Sequence, residues 1–158
     1  MKETLLTVLE NTRLADGIYR LRLAGDTSAI TAPGQFVNLK LSGFFLRRPI
    51  SVCDWENGEV TLIYKVLGHG TEAMTGMAAG TALDVLTGLG NGFDLSRSGE
   101  HPLLVGGGVG IPPLYGLARR LTAQGKRVTA VLGFNRKSEI FLAEEFRALG
   151  AELVIATA

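Results

Sequence analysis

The stretch Leu46-Arg47-Arg48-Pro49-Ile50-Ser51-Val52 sets two adjacent cations and a proline inside an otherwise apolar, strand-like run. An arginine drawn into a fold is rarely left without a partner, so this pair asks for an anion. Pro49 has no amide to give to a ladder, which confines this part of the strand to a sheet edge or an irregular spot where something other than a strand can approach. Ser51 lies three residues beyond Arg48, so period-two alternation puts the two side chains on opposite faces unless the proline distorts the backbone. The segment is either an edge strand with two solvated arginines or a fixed cation for a phosphate with a small hydroxyl nearby.

On both sides of this stretch the pattern is one of short strands and tight turns. Residues 4–13 and 18–24 alternate with period two around Asp16-Gly17, a hairpin turn signal. Pro33-Gly34 punctuates the entry to a third strand, Gln35 to Leu41, and the arginine segment, about residues 45–54, is the fourth. Asn57-Gly58 turns the chain into a fifth strand, residues 59–67, rich in β-branched and aromatic residues. Gly68-His69-Gly70-Thr71 opens a short helix, Thr71 to Met77, with Thr71 as its N-cap and Glu72 in its first turn. A sixth strand follows at about 81–87. These signals predict a six-stranded antiparallel barrel over residues 1–97.

Beyond the polar joint Ser96 to Glu100 the period changes. Leu103-Leu104-Val105 reads as a short buried strand, Gly110 to Ala123 as a helix, Arg127 to Gly133 as a strand, Ser138 to Leu149 as a helix and Glu152 to Ile155 as a strand. Strands alternating with helices predict a partial doubly wound parallel sheet over residues 98–158, half of a nucleotide-binding domain. The chain stops just after a strand, where a binding loop would begin, and this reads as a truncated piece of a longer protein.

Composition narrows the chemistry. A formal net charge of +1 gives no electrostatic footprint for nucleic acid or a membrane surface. Cys53 is the only cysteine, so neither a disulfide framework nor a cysteine metal cluster can form, and the two histidines, His69 and His101, lie far apart without supporting acids. The uncharged run Pro102 to Ala118 carries three prolines and five glycines, which exclude a membrane helix. With no signal peptide at the N-terminus, the expectation is a soluble, cytoplasmic protein. No nucleophile–base set and no metal site is legible, so any reaction is carried by a bound cofactor.

Two glycine-rich turns could hold one. Gly106-Gly107-Gly108-Val109-Gly110 follows a predicted strand and opens a predicted helix, so its backbone can approach a pyrophosphate while the helix start supplies amides. The spacing is not G-x-G-x-x-G, and no acid stands at 128–135 for a ribose hydroxyl. Gly68 to Thr71 is a second such place, where amides and the Thr71 hydroxyl could hold another phosphate; capping accounts for it equally well.

Together these residues resemble the ferredoxin–NADP reductase superfamily. Arg48-Pro49-Ile50-Ser51 is similar to its R-x-Y-S flavin motif, with isoleucine for the aromatic, and Gly106 through Pro113 is similar to its nicotinamide-binding motif. Arg47 to Ser51 followed by Lys65 to Thr71 most resembles the electron-transfer subunits of class B dihydroorotate dehydrogenases. The resemblance implies FAD across the barrel exchanging reducing equivalents with NAD(H). Arg48 is then on the FAD pyrophosphate, Pro49 and Ile50 bracket the flavin, and Ser51 is near its reactive nitrogen. Lys65, Val66 and Leu67 line the adenosine or ribityl side, Gly70 and Thr71 cap the pyrophosphate, and Gly106, Gly107, Gly108 and Gly110 receive the nicotinamide nucleotide. It also implies a 2Fe-2S cluster in the parent protein only, since its four cysteines are absent here, and a dihydroorotate dehydrogenase catalytic subunit as partner in a heterotetramer. Another flavin oxidoreductase of ferredoxin–NADP reductase, hydrogenase or sulfide reductase type, or a non-catalytic interaction barrel, are the alternatives.

Overall fold

The computed structural model describes residues 1–158. Strands β1 (Lys2–Ala15), β2 (Ile18–Ala24), β3 (Phe36–Leu39), β4 (Arg48–Glu56), β5 (Glu59–Lys65) and β6 (Ala82–Leu89) close into an antiparallel barrel of order β1-β2-β5-β4-β3-β6. The turns that close it are those whose residues tolerate a left-handed backbone: Asn57 and Gly58, at φ 51° and 78°, form the β4–β5 hairpin. Alternation fills the barrel with Leu6, Val8, Leu21, Leu23, Val37, Leu39, Val52, Val60 and Leu62, all essentially without solvent contact. Helix α1 (His69–Met74) closes one side, with Met74 buried in that core.

The second lobe holds β7 (Leu103–Gly107), α2 (Pro112–Ala123), β8 (Thr129–Phe134), α3 (Ala143–Ala148) and β9 (Glu152–Thr157), with a parallel sheet ordered β7-β8-β9. Two expectations are corrected here. Leu103 and Val105 are 62% and 66% exposed, and only Leu104 of that strand is buried, because α2 and α3 both pack on the face that carries Leu104, Ala130, Leu132 and Phe134. The second helix is shorter than residues 138–149. Lys137–Glu139 form a 3-10 turn, and Leu142, at φ 63°, breaks the run so that Phe141 and Leu142 can both enter the core.

On the barrel's outer face Glu10 accepts hydrogen bonds from Arg20 (2.7 Å) and Arg22 (3.0 Å), and Arg22 also reaches Glu59 (2.6 Å). The Arg20 bond, then those from Thr12 and Arg22, hold the Glu10 pKa down at about 2. Its folded pKa is depressed, so the stabilisation is present above pH 4.5 and fades as pH falls toward 2. Glu10→Gln should therefore cost about 1 kcal/mol at neutral pH in low salt, a screened value for a partly exposed network. Urea unfolding should show that gap closing as pH drops through this window; a gap that is constant with pH would exclude the charge as its cause.

Candidate cofactor site at the lobe junction

The two adjacent arginines part company. Arg47 is 20% exposed and fully occupied: its guanidinium meets Asp84 Oδ1 at 3.0 Å from both terminal nitrogens, Asp84 Oδ2 at 3.1 Å and Glu3 Oε1 at 2.9 Å. It ties β6 and β1 to the start of β4. Arg48 has no carboxylate partner. It donates one bond to the Leu46 carbonyl (2.6 Å), and its Cζ lies 5.0 Å from the Phe44 ring centroid. The other wall is the first turn of α1, so close that a Cβ on Gly70 would sit 2.2 Å from Arg48 Nε. Arg48 thus lines a cavity of about 450 Å³ with Phe44, Leu67, Gly68, His69, Gly70 and Thr71. A guanidinium and a helix start, whose first amides have no intrahelical acceptor, face the same space, and this is an arrangement for an anion.

Helix α1 is held from its other end. The Asn11 side chain donates to the carbonyls of Met74 (2.7 Å) and Met77 (3.2 Å), and Tyr64 Oη donates to Asn11 Oδ1 (3.0 Å). Burial pushes the Tyr64 pKa up to about 12. Thr71 is not the N-cap. It stands one turn in, and its hydroxyl accepts from the amides of Leu67 (2.9 Å) and Gly68 (3.2 Å) while donating to the Gly68 carbonyl (3.1 Å). That uses the hydroxyl's whole capacity. Thr71 shapes the turn and has only its backbone left to offer a phosphate.

Over residues 48–51 the ladder to β3 is regular, pairing Arg48 with Leu39 and Ser51 with Phe36, while pairing to β5 begins only at Val52. Pro49 therefore does lie on a local edge, and the alternation is undistorted. Arg48 and Ile50 share one side of the strand, with Ile50 packed on the barrel core, whereas Pro49 and Ser51 share the other. Val66 also packs on the barrel core, so of the segment 65–67 only Lys65 and Leu67 reach a cavity.

That cavity, about 690 Å³, lies at the junction of the lobes and is lined by Lys65 and Leu67 from the barrel and by Gly107, Gly108, Gly133 and Asn135 among others from the sheet. Leu67 borders both cavities. Gly106 and Gly110 do not line it. Gly106 is needed inside, where a Cβ would meet Leu114 Cδ1 at 2.6 Å and keep α2 off β7. The helix that starts at the glycine run supplies no amides either. A 3-10 turn, Gly108–Gly110, intervenes, α2 begins at Pro112, Pro113 follows, and the Leu114 amide bonds Ile111. Glu139, missed in the sequence, also lines the cavity and pairs with Lys65 Nζ at 3.6 Å across the junction. Phe44 was missed too, because only the turn before β4 brings its ring under the Arg48 guanidinium.

No family model matches the chain. Curated relatives do. The dihydroorotate dehydrogenase B (NAD(+)) electron transfer subunit of Bacillus pumilus is 46% identical over 158 residues, 95% of this chain and 61% of that protein. Its namesake in Bacillus velezensis is 45% identical over 166 residues, 100% of this chain and 64% of that protein. The chain is a homologue of these electron transfer subunits. It spans less than two thirds of their length. Among solved structures, a flavin-based electron-bifurcating, NADH-dependent reduced ferredoxin-NADP oxidoreductase is 30% identical with a TM-score of 0.86, over 98% of this chain and 57% of that one. The ferredoxin reductase of a carbazole 1,9a-dioxygenase, at 20% identity and a TM-score of 0.89 over 99% of this chain and 50% of its own, shares the fold. The barrel followed by a parallel sheet is a ferredoxin–NADP reductase-like fold, as the motifs at 48–51 and 106–113 imply.

Proposed function

We propose that this homologue holds FAD on the barrel and passes reducing equivalents between NADH and, in the parent protein, an iron–sulfur cluster serving a dihydroorotate dehydrogenase catalytic subunit of pyrimidine biosynthesis. The observation that carries the reading is the contrast within one dipeptide: Arg47 is saturated by Asp84 and Glu3, while Arg48, beside it, faces the start of α1 with no anion of the chain's own.

The residues fit such a group. A diphosphate would meet the Arg48 fork and the amides at residues 69–71, with Phe44 and Leu67 as apolar walls on either side. Bound FAD supplies the electron exchange that no side chain here can perform. The chain's own part is to orient and enclose. The saturated Thr71 hydroxyl stiffens the cradle, Pro49 leaves an edge that no strand fills, and side-chain-free Gly107 and Gly108 let a second nucleotide approach β7 closely. Pro49 and Ser51, which share the side of β4 opposite Ile50, take the flavin ring's side, Ile50 backs them from the barrel core, and Lys65 takes the ribityl side. The relatives are NAD(+)-type electron transfer subunits by name, which favours NAD(H) as that second nucleotide. A barrel serving only as an interaction module leaves the isolation of Arg48 without a cause.

No helix is long and apolar enough to cross a membrane. The reading is tested by titrating the purified chain with FAD. The chain should take up one equivalent of FAD with quenching of flavin fluorescence and appearance of a protein-bound flavin absorption band. A folded chain that stays colourless at micromolar FAD would overturn the proposal.

A further inference from the structure

Apart from the Lys65–Glu139 pair and the bond from the Asp16 amide to the Ser138 carbonyl (3.2 Å), the second lobe is fastened to the barrel along α2. Between Val52 and Asp54 the β4–β5 register shifts, so that Cys53 and Asp54 both meet α2. There α2 comes to backbone contact: a Cβ on Gly116 would lie 2.6 Å from the Cys53 carbonyl. Asp54 receives Arg119 Nε at 2.9 Å and Arg120 Nη1 at 3.3 Å, Arg119 also donates to the Trp55 carbonyl at 3.3 Å, and the Arg120 guanidinium lies 3.6 Å from the Trp55 ring centroid. Burial pulls the Arg120 pKa down from its ordinary value, against the bond it donates to Asp54. Cys53, Ile18 and Ile63 of the barrel share one apolar core with α2 and α3. The bulge follows directly after Ser51, so whatever fixes α2 on β4 also fixes how the segment Arg48–Ser51 stands to the glycine turn.

We propose that Asp54 is a positioning residue: by holding Arg119 and Arg120 of α2 at the β4 bulge it locks the two lobes at one spacing and suppresses their opening. The reason this spacing matters rests on the cofactor reading above, but the lock itself does not. Its readout is built in, because Cys53, the only thiol, is buried in the seam.

Reaction of Cys53 with Ellman's reagent, in the chain without cofactor, reports opening. Because burial and, after it, the Asp54 charge raise the Cys53 pKa, Arg119→Ala, which keeps that charge, is read beside Asp54→Ala. Asp54→Ala should speed the reaction by about 10-fold or more, as expected for the loss of charge-assisted hydrogen bonds to two arginines. The rate should rise with urea much less steeply than global unfolding does, the mark of a local opening. Asp54→Asn, which keeps an acceptor, should fall between the two. The FAD Kd should stay within about 2-fold, since truncating Asp54 leaves the Arg48 cradle intact. An unchanged thiol rate in Asp54→Ala, or an increase with the full urea slope of global unfolding, overturns the proposal. Arg119→Ala, judged by the same two criteria, keeps it testable should Asp54→Ala not fold. A wild-type chain that binds no FAD would sink the functional reading while leaving the thiol comparison intact.

Discussion

Arg48→Ala should weaken FAD binding by about 10- to 100-fold and leave the melting temperature of the chain without cofactor nearly unchanged. The affinity loss is that of one charge-assisted contact to a diphosphate, roughly 1.5–3 kcal/mol. The stability is spared because Arg48 makes one bond to a neighbouring carbonyl and lies over Phe44, neither of which leaves a buried charge behind when removed. Arg47→Ala should do the opposite. It strands Asp84, which is 27% exposed and whose other cationic neighbour, Lys40, is 3.8 Å away and mostly solvated. The expected cost is about 1–3 kcal/mol of stability with little change in intrinsic FAD affinity. Arg48→Lys keeps the charge but not the planar fork and should fall between Arg48 and alanine. Flavin-fluorescence titration at two salt concentrations, with thermal unfolding of the same samples, checks all three; the Arg48 advantage should shrink at high salt. Equal FAD affinity in wild type and Arg48→Ala would remove the diphosphate from this cradle.

The sequence reveals where backbone chemistry constrains choice. Asn57-Gly58, the alternation around Asp16-Gly17 and the change of period after Glu100 are local signals, and they place the barrel, its hairpins and the parallel sheet. Arg48 is legible because a cation beside a proline in an apolar strand is locally inconsistent. What could not be read depends on packing across distance. Only the closed barrel brings Glu3 and Asp84 to Arg47, and only the docked lobes bring Glu139 to Lys65. Gly106 looked like a ligand residue, but its small size serves Leu114, a side chain eight positions away in a different element. Thr71 looked like a cap because threonine before an acid is a capping signal, yet the helix starts two residues earlier, at His69. The exposure of Leu103 and Val105 reflects a layer count that periodicity cannot supply: both helices lie on one face of the sheet.

A large steric effect is expected at Gly116, whose backbone is ordinary helix. In an exposed helix, glycine to alanine gains about 1 kcal/mol in propensity. Here the added methyl points at the Cys53 carbonyl, 2.6 Å from the ideal Cβ, and that carbonyl belongs to a bulged strand locked by its ladder to β5. A side chain could swing aside, but backbone cannot, so α2 must ride away from β4. Overpacking of this kind costs about 1–3 kcal/mol, and the retreat also lengthens the bonds from Arg119 and Arg120 to Asp54. The propensity gain is the smaller term, so Gly116→Ala should lose about 2 kcal/mol net. Because the clash is at the seam and the barrel has its own closed core, the loss should split the unfolding curve. Helical ellipticity, carried mostly by α2 and α3 of the second lobe, should fall at lower urea than the fluorescence of FAD bound to the barrel. A single, more stable transition in Gly116→Ala would mean that α2 does not press on Cys53, and the shared core of the lobes would lose its closest contact.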